Sequence, residues 1–436
     1  MQEILTDDIP LKDRLLKNWF WMYFLSFVIA PTGYLIKLMV SRELSVEDIG
    51  LVYSIIGFIG LLSAFNDLGL TEALQYYLPQ YMIDKEFGKA KTILVITRIV
   101  QFLWWIVIWG ILYAIAPWMA AHYFHSQQAI TILRYFCIYF LFINLFQVLQ
   151  SVFTALQNVK LQYACEAIRM RCVTIFVGCL VFFDTITLYN FSQIRLIWVI
   201  IGVFIAWLFF WKEYAPIFRK ATVNVDKDVL KTQRSYAWKI MIGMQIGTIY
   251  SQIGQQFAIS FLWPYDAGIW TNYMTFFTGI SVFTGPIIAY LFPLFTELYK
   301  KNEQTKIKLV QKYLIRWVII ASVGIAIGWW YFSERAAVTF LTEEFRMSGI
   351  LFKWTSLGMF FVIATWVQFA LLAGAWLVQE RVRIIIYGTI GWLLMSYLWV
   401  QIWWLWWLVA SLLITHIYFW GHSLFYLKRF NHYEYF

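Results

Sequence analysis

The chain has 436 residues, of which 61% are hydrophobic and only 13% charged, against roughly a quarter charged in soluble domains. That balance excludes a water-soluble globular protein and points to an all-α, polytopic membrane protein whose main solvent is the bilayer. The net charge of +10 does not signal nucleic acid, because the basic residues recur in alternate loops instead of forming one patch.

Aromatic residues make up 21% of the chain, as expected where a chain crosses the interface many times and amphipathic rings settle at headgroup level. The N-terminal stretch to Asn18 is polar and lacks the basic start and small-residue cleavage site of a signal peptide, so the first helix is expected to stay attached. Apolar windows follow at 19–41, 50–71, 93–115, 131–156, 165–184, 193–211, 240–263, 267–293, 310–332 and 348–374. From Ile384 to Leu427 there is no Lys or Arg. That run is too long for one span of about 20 residues and should fold as a pair turning near Gln401. About twelve transmembrane helices are therefore expected.

Charge sets the orientation. With the N-terminus inside, Lys12, Arg14 and Lys17, Lys85, Lys89 and Lys91, Lys160, Arg169 and Arg171, the run from Lys212 to Lys239 and the run from Lys300 to Arg316 all fall on the inner side. The outer loops hold only Arg42, Arg195, Arg335 and Arg346. The positive-inside rule then places both termini in the cytoplasm, and a multi-pass protein of the cell (inner) membrane is expected.

The longest hydrophilic segment, 212–239, reads as a basic linker with a short interfacial helix between an N-lobe (1–211, helices 1–6) and a C-lobe (240–436, helices 7–12). The halves match across it. The stretch from Tyr76, with Pro79, repeats from Ala289, with Pro293, as a helix end, a proline, a basic loop and a new span. Asp48-Ile49-Gly50 likewise matches Asp266-Ala267-Gly268. Each half starts from the same side, so the two six-helix lobes are parallel repeats, and transporters place their substrate between such repeats.

Polar residues inside the windows are the candidate site. Lys37 in the first span, Arg134 in the fourth and Lys353 in the tenth would ring the outer half of a central cavity with positive charge, suited to a phosphate or pyrophosphate. Anchoring at the interface is the competing use of the same cations. Polar stripes run along span four (Asn144, Gln147, Gln150, Ser151, Thr154) and span seven (Gln245, Thr248, Ser251, Gln252, Gln255, Gln256), with Thr271, Thr275 and Thr278 in span eight. They line a hydrated cavity or bond helix to helix. Asp67, Glu72 and Arg98 near the inner ends could form gate ion pairs, and Asp67 could instead take a coupling proton or sodium ion. Cys137, Cys165, Cys172 and Cys179 all sit in apolar runs and read as buried structural thiols. His122 and His125 read as solvated loop residues, and His416 and His422 do not share a helix face. No phosphate loop, zinc pair or nucleophile elbow appears in the sequence, so no catalytic residue, metal or cofactor is assigned.

The segments SRELSVEDIGLVYSI, FNDLGLTEALQYYLP, SQIGQQFAISFLWPYDAGIWTNYM and FPLFTEL resemble the polysaccharide biosynthesis flippases (Wzx type) of the multidrug/oligosaccharidyl-lipid/polysaccharide superfamily over essentially the whole chain. The resemblance implies two six-helix lobes around a cavity open alternately to each side. Its implied cargo is an oligosaccharide on polyprenyl pyrophosphate, destined for a surface polysaccharide such as the O-antigen of lipopolysaccharide. Membrane lipids and polysaccharide assembly proteins are the implied partners. Where members of the family often carry an acidic residue in span seven, this chain has Gln255. A cation-coupled drug or metabolite exporter would need a buried acid, for which Asp67 is the nearest. A membrane glycosyltransferase or polymerase would need an acidic motif in a sizeable loop, which the sequence lacks.

Overall fold

The computed structural model describes residues 31–66, 68–156, 158–223, 245–301, 304–375 and 377–429. All regular structure among them is helical, as lipid demands: a backbone N–H or C=O has no water to bond there, and a helix satisfies both within one segment. In chain order the helices are α1 (31–43), α2 (Val46–Asn66), α3 (Leu70–Ile83), α4 (Phe87–His122), α5 (Ala129–Ala155), α6 (Val159–Phe182), α7 (Leu188–Glu213), the short α8 (Ala215–Lys220), α9 (245–261), α10 (Pro264–Lys300), α11 (Gln304–Phe340), α12 (Arg346–Ser356), α13 (Met359–Gly374), α14 (Val378–Val400) and α15 (Trp404–Arg429).

Within the described residues every sequence window falls on one or more of these helices; 19–30 of the first window, 240–244 of the seventh and the linker from 224 lie outside them. Among the described residues, six are long and apolar enough to cross a membrane alone: α4, α5, α7, α11 from Thr305, α14 and α15. Helices α12 and α13, bent by 67° where they meet, pass the same test only as a pair and make a seventh crossing if they are counted as one broken span. Their outward faces carry large apolar side chains, Ile99, Leu103 and Ile106 on α4, Ile320, Val323 and Ile327 on α11, Leu394 and Leu398 on α14, the surface a bilayer would cover.

The final apolar run does divide in two. The break comes at Trp404, whose φ of 53° and ψ of −146° interrupt the helix three residues after Gln401. Pro79 does not end a helix. It lies inside α3, which continues to Ile83 before the chain turns through Lys85 at positive φ and starts α4. Two cysteines, Cys137 and Cys165, are buried as expected, but Cys172 is half-buried and Cys179 is exposed, because a seven-residue spacing drifts about 20° around a straight helix at each repeat.

By its packing the chain forms two compact units, Met1–Leu44 with Ile55–Thr248, and Ser45–Ser54 with Ile249–Phe436. In the first, α5 packs on α4, α3 and α7, around Leu78, Ile93, Phe146, Val152 and Phe153. The short α8 docks against α7 and α4, where Lys91 Nζ donates to the Ala221 carbonyl at 2.7 Å. In the second, α13 packs on α10, α11 and the last helices around Phe295, Val318, Val367, Leu371 and Phe419.

The sequence boundaries at 211 and 240 do not anticipate that the first turns of α2 belong with the second unit. Ser45 caps α2, its Oγ accepting from the Asp48 N–H at 3.1 Å, and Pro264 begins α10, where a missing N–H costs nothing. These two helix starts touch backbone to backbone. A Cβ on Gly50 would lie 1.8 Å from the Pro264 carbonyl oxygen, and one on Gly268 would lie 2.1 Å from that of Val46. Each glycine thus meets the residue four before its repeat partner, a reciprocal contact that only small residues permit.

Gly50→Ala and Gly268→Ala should each lower the melting temperature of the purified protein, by overpacking strain of about 1–3 kcal/mol. Gly110→Ala on α4, where a Cβ meets nothing within 4 Å, should leave it unchanged or raise it. Thermal unfolding of the three variants side by side checks this.

Candidate functional site

Helix α5 carries Arg134 in its second turn. Its guanidinium lies over the Tyr113 ring of α4 at 4.7 Å from the centroid, a cation–π contact, and its Nε has no hydrogen-bond partner among the described residues. In the second unit α12 places Lys353 in the corresponding way, with Nζ 5.0 Å from the Trp330 ring of α11. Both cations therefore stand on an aromatic ring of the long helix that precedes them. They differ in one respect: Lys353 Nζ also donates to Glu334 Oε1 at 2.9 Å, whereas no carboxylate pairs with Arg134 among the described residues. Lys37, on α1 in the first unit, is half-buried. The expected cations thus comprise two in the first unit and, in the second, one already bound to an acid.

The polar stripes are largely bonded to their own helices. Asn144 Nδ2 donates to the Phe140 carbonyl at 2.7 Å, and Ser151 Oγ to that of Gln147 at 2.8 Å, the i−4 back-bonding open to short polar side chains. Gln147 itself is exposed. On α9, Gln255 is buried and fully engaged. Its Nε2 donates to Ser54 Oγ at 2.7 Å and to the Ala267 carbonyl at 3.2 Å, while its Oε1 accepts from Thr271 Oγ1 at 2.9 Å. Gln256 adds a bond to the Ser54 carbonyl. These two glutamines fasten α9 to α2 and α10. Gln245 is buried, and Thr248 and Gln252 are half-buried on the same helix.

Asp67 lies outside the described residues. Glu72 sits half-buried in the first turn of α3. The ion pair formed at this level is Arg169 with Glu166, one turn apart on α6 and held by two bonds of 2.6 and 2.9 Å. Arg98 lies over the Phe210 ring at 4.8 Å. No group of three or more His, Cys, Asp or Glu side chains among the described residues is placed to hold a metal ion.

One polar element escapes the sequence reading. Asp266, in the first turn of α10, accepts from the Trp404 indole N–H at 2.5 Å, tying the start of α10 to the break between α14 and α15. Burial raises the Asp266 carboxyl above its ordinary value, with the Trp404 bond acting in the opposite direction. Asp48 is raised by burial too. No motif marks this contact; its signal is the Asp repeat at 48 and 266, which shows that the position matters without showing its partner.

With the geometry in place, the chain can be compared with known proteins. A family model described as "Polysaccharide biosynthesis protein" matches residues 15–299. An uncharacterized membrane protein of Methanocaldococcus jannaschii is 23% identical over 390 residues, covering 83% of this chain and 74% of that one. Among solved structures, an inward-facing multidrug resistance MATE family transporter of the MOP superfamily superposes with a TM-score of 0.76 at 10% identity, over 93% of this chain and 96% of that one. The lipid II flippase MurJ in an inward closed conformation superposes with a TM-score of 0.72 at 10% identity, over 93% and 87%. A MOP superfamily transporter from Pyrococcus furiosus gives 0.62 at 11% identity, over 96% of each. These likenesses establish the two-lobed, all-helical fold of that superfamily.

The raised Asp266 makes a signed prediction. Its ionised form opposes folding, a cost fully present above the raised value and absent below the ordinary value of 3.8. Asp266→Asn keeps an oxygen acceptor for Trp404 and removes the charge. Its melting temperature should exceed that of the native chain at pH 7, and the gap should close as the pH falls through the carboxylate range in a melting series.

Proposed function

Because the chain belongs to the polysaccharide biosynthesis protein family, a family of multi-pass membrane transporters, we propose that it flips a polyprenyl-pyrophosphate-linked oligosaccharide across the cytoplasmic membrane by alternating access, without catalysing a covalent step. The observation that carries the reading is Arg134, a guanidinium held on the Tyr113 ring with no carboxylate partner among the described residues. A cation kept within an apolar bundle and left without an acid is costly unless an anion visits it. A pyrophosphate, which takes charge-assisted bonds from a planar guanidinium, is such an anion. Lys37 in the same unit supplies the second positive charge. The polyprenyl chain stays in lipid, where its transfer costs nothing, so only the charged and sugar portions need a protein path. The basic inner loops orient the chain with both termini in the cytoplasm. The lipid II flippase in the same superfamily fold supports a lipid-linked cargo.

Lys353 serves differently in this reading, since Glu334 already neutralises it. In proteoliposomes holding a defined polyprenyl-pyrophosphate oligosaccharide, Lys37→Gln with Arg134→Gln should slow flipping about tenfold or more, the effect of losing charge-assisted contacts worth at least ~1.4 kcal/mol. Lys353→Gln should change it less. Native rates in the double variant, at native thermal stability, would refute the assignment.

A further inference from the structure

Away from these cations the first unit holds a cavity of about 370 Å³ between α4, α5 and α7, within the roughly 300–1,000 Å³ typical of small-molecule sites. Its walls are apolar, including Phe102 and Trp105 from α4, Leu149 from α5, and Val203 and Trp207 from α7, and its one charged member is Arg98. It opens on the face that meets lipid, since Ile99, Phe102 and Trp207 beside it are exposed. Arg98 has the Phe210 ring on one side, but no carboxylate bridges it among the described residues, and a guanidinium offers five N–H donors. Trp105 is 1% exposed, and its indole N–H has no acceptor there.

We infer that this groove is a binding site for an anionic phosphoglyceride of the surrounding bilayer. Arg98 takes the phosphate, and one acyl chain lies along the groove past Phe102 and Trp105. The axial order agrees. Arg98 lies seven residues before Trp105, about 10 Å along α4, toward the end of the helix that carries Lys89 and Lys91. A phosphate at Arg98 is thus nearer the basic interface than the chain below it, as a lipid in a leaflet must be. Charge selects the class: Arg98 is the groove's one charged member and no acidic side chain lines it, so a headgroup of net negative charge gains there what a zwitterionic one, whose ammonium finds no carboxylate, gains less. Basic pockets between transmembrane helices are known to collect anionic headgroups.

Native mass spectrometry of the full-length protein, titrated with phosphatidylglycerol or with phosphatidylcholine of the same acyl chains, tests the site. The tightest-bound phosphatidylglycerol should bind about tenfold more strongly than phosphatidylcholine, the worth of one charge-assisted contact. Arg98→Lys should keep most of that preference and Arg98→Gln should lose it. Equal binding of the two lipids to the native chain, or an undiminished preference in Arg98→Gln, would overturn the inference. So would a polyprenyl phosphate displacing phosphatidylglycerol at lower concentration, which would give the groove to the transported lipid. Lipid binding is read here without any flipping assay, so this result and that of the cation variants stand apart.

Discussion

Where α2 and α10 begin, two backbones touch because neither Gly50 nor Gly268 carries a side chain. In lipid the hydrophobic effect does not press helices together, so close packing and hydrogen bonds must do so. The reciprocal glycine contact brings the carbonyls of Val46 and Pro264 within reach of the opposite helix. It draws Ser45–Ser54 into the second compact unit while the rest of α2 belongs to the first. Ser54 then lies where Gln255 and Gln256 can bond it. Asp266, two residues before Gly268, reaches the Trp404 indole. That bond helps to hold Trp404 at a positive φ, a conformation strained for a bulky residue, which persists when its surroundings over-determine it.

The second constraint is the cost of charge in an apolar bundle. The chain meets it in several ways. Arg169 is neutralised by Glu166 on its own helix. Lys353 is neutralised by Glu334 on the neighbouring helix and supported by Trp330. Arg134 rests on Tyr113 with no acid among the described residues, and Arg98 on Phe210 beside a groove. The last two are where an external anion has something to gain, and they lie at different levels of α4 and α5. We propose the first for a cargo that comes and goes and the second for a lipid that stays.

Much of this was legible in the residues. Composition gave the membrane, the apolar windows gave the helices, and the length of the final run required two of them. The Asp-x-Gly repeat identified two equivalent helix starts. It could not show that they face each other, because a repeat establishes equivalence and not contact. Arg134 and Lys353 were recognisable as counterparts, yet Glu334 was missed: it precedes Lys353 by 19 residues, on another helix, and only the pairing of α11 with α12 brings them together. Gln255 looked like one more member of a wet face. Its amide proved to be consumed by Ser54, Ala267 and Thr271, since sequence spacing tells which residues share a face and not what lies opposite. The length of the final run placed a turn near Gln401, but nothing marked Trp404 itself as the break, because tryptophan has no preference for the backbone it adopts there.

Membership of the polysaccharide biosynthesis protein family and a fold shared with MATE transporters and a lipid II flippase are the frame of the proposal, and the cargo is its central claim. The most direct measurement reconstitutes the native protein in vesicles loaded with a polyprenyl-pyrophosphate oligosaccharide in the inner leaflet and follows the glycan's arrival outside, with organic-cation uptake followed in parallel. The account predicts glycan translocation well above protein-free vesicles and no cation transport. Cation transport without movement of the glycan would contradict it.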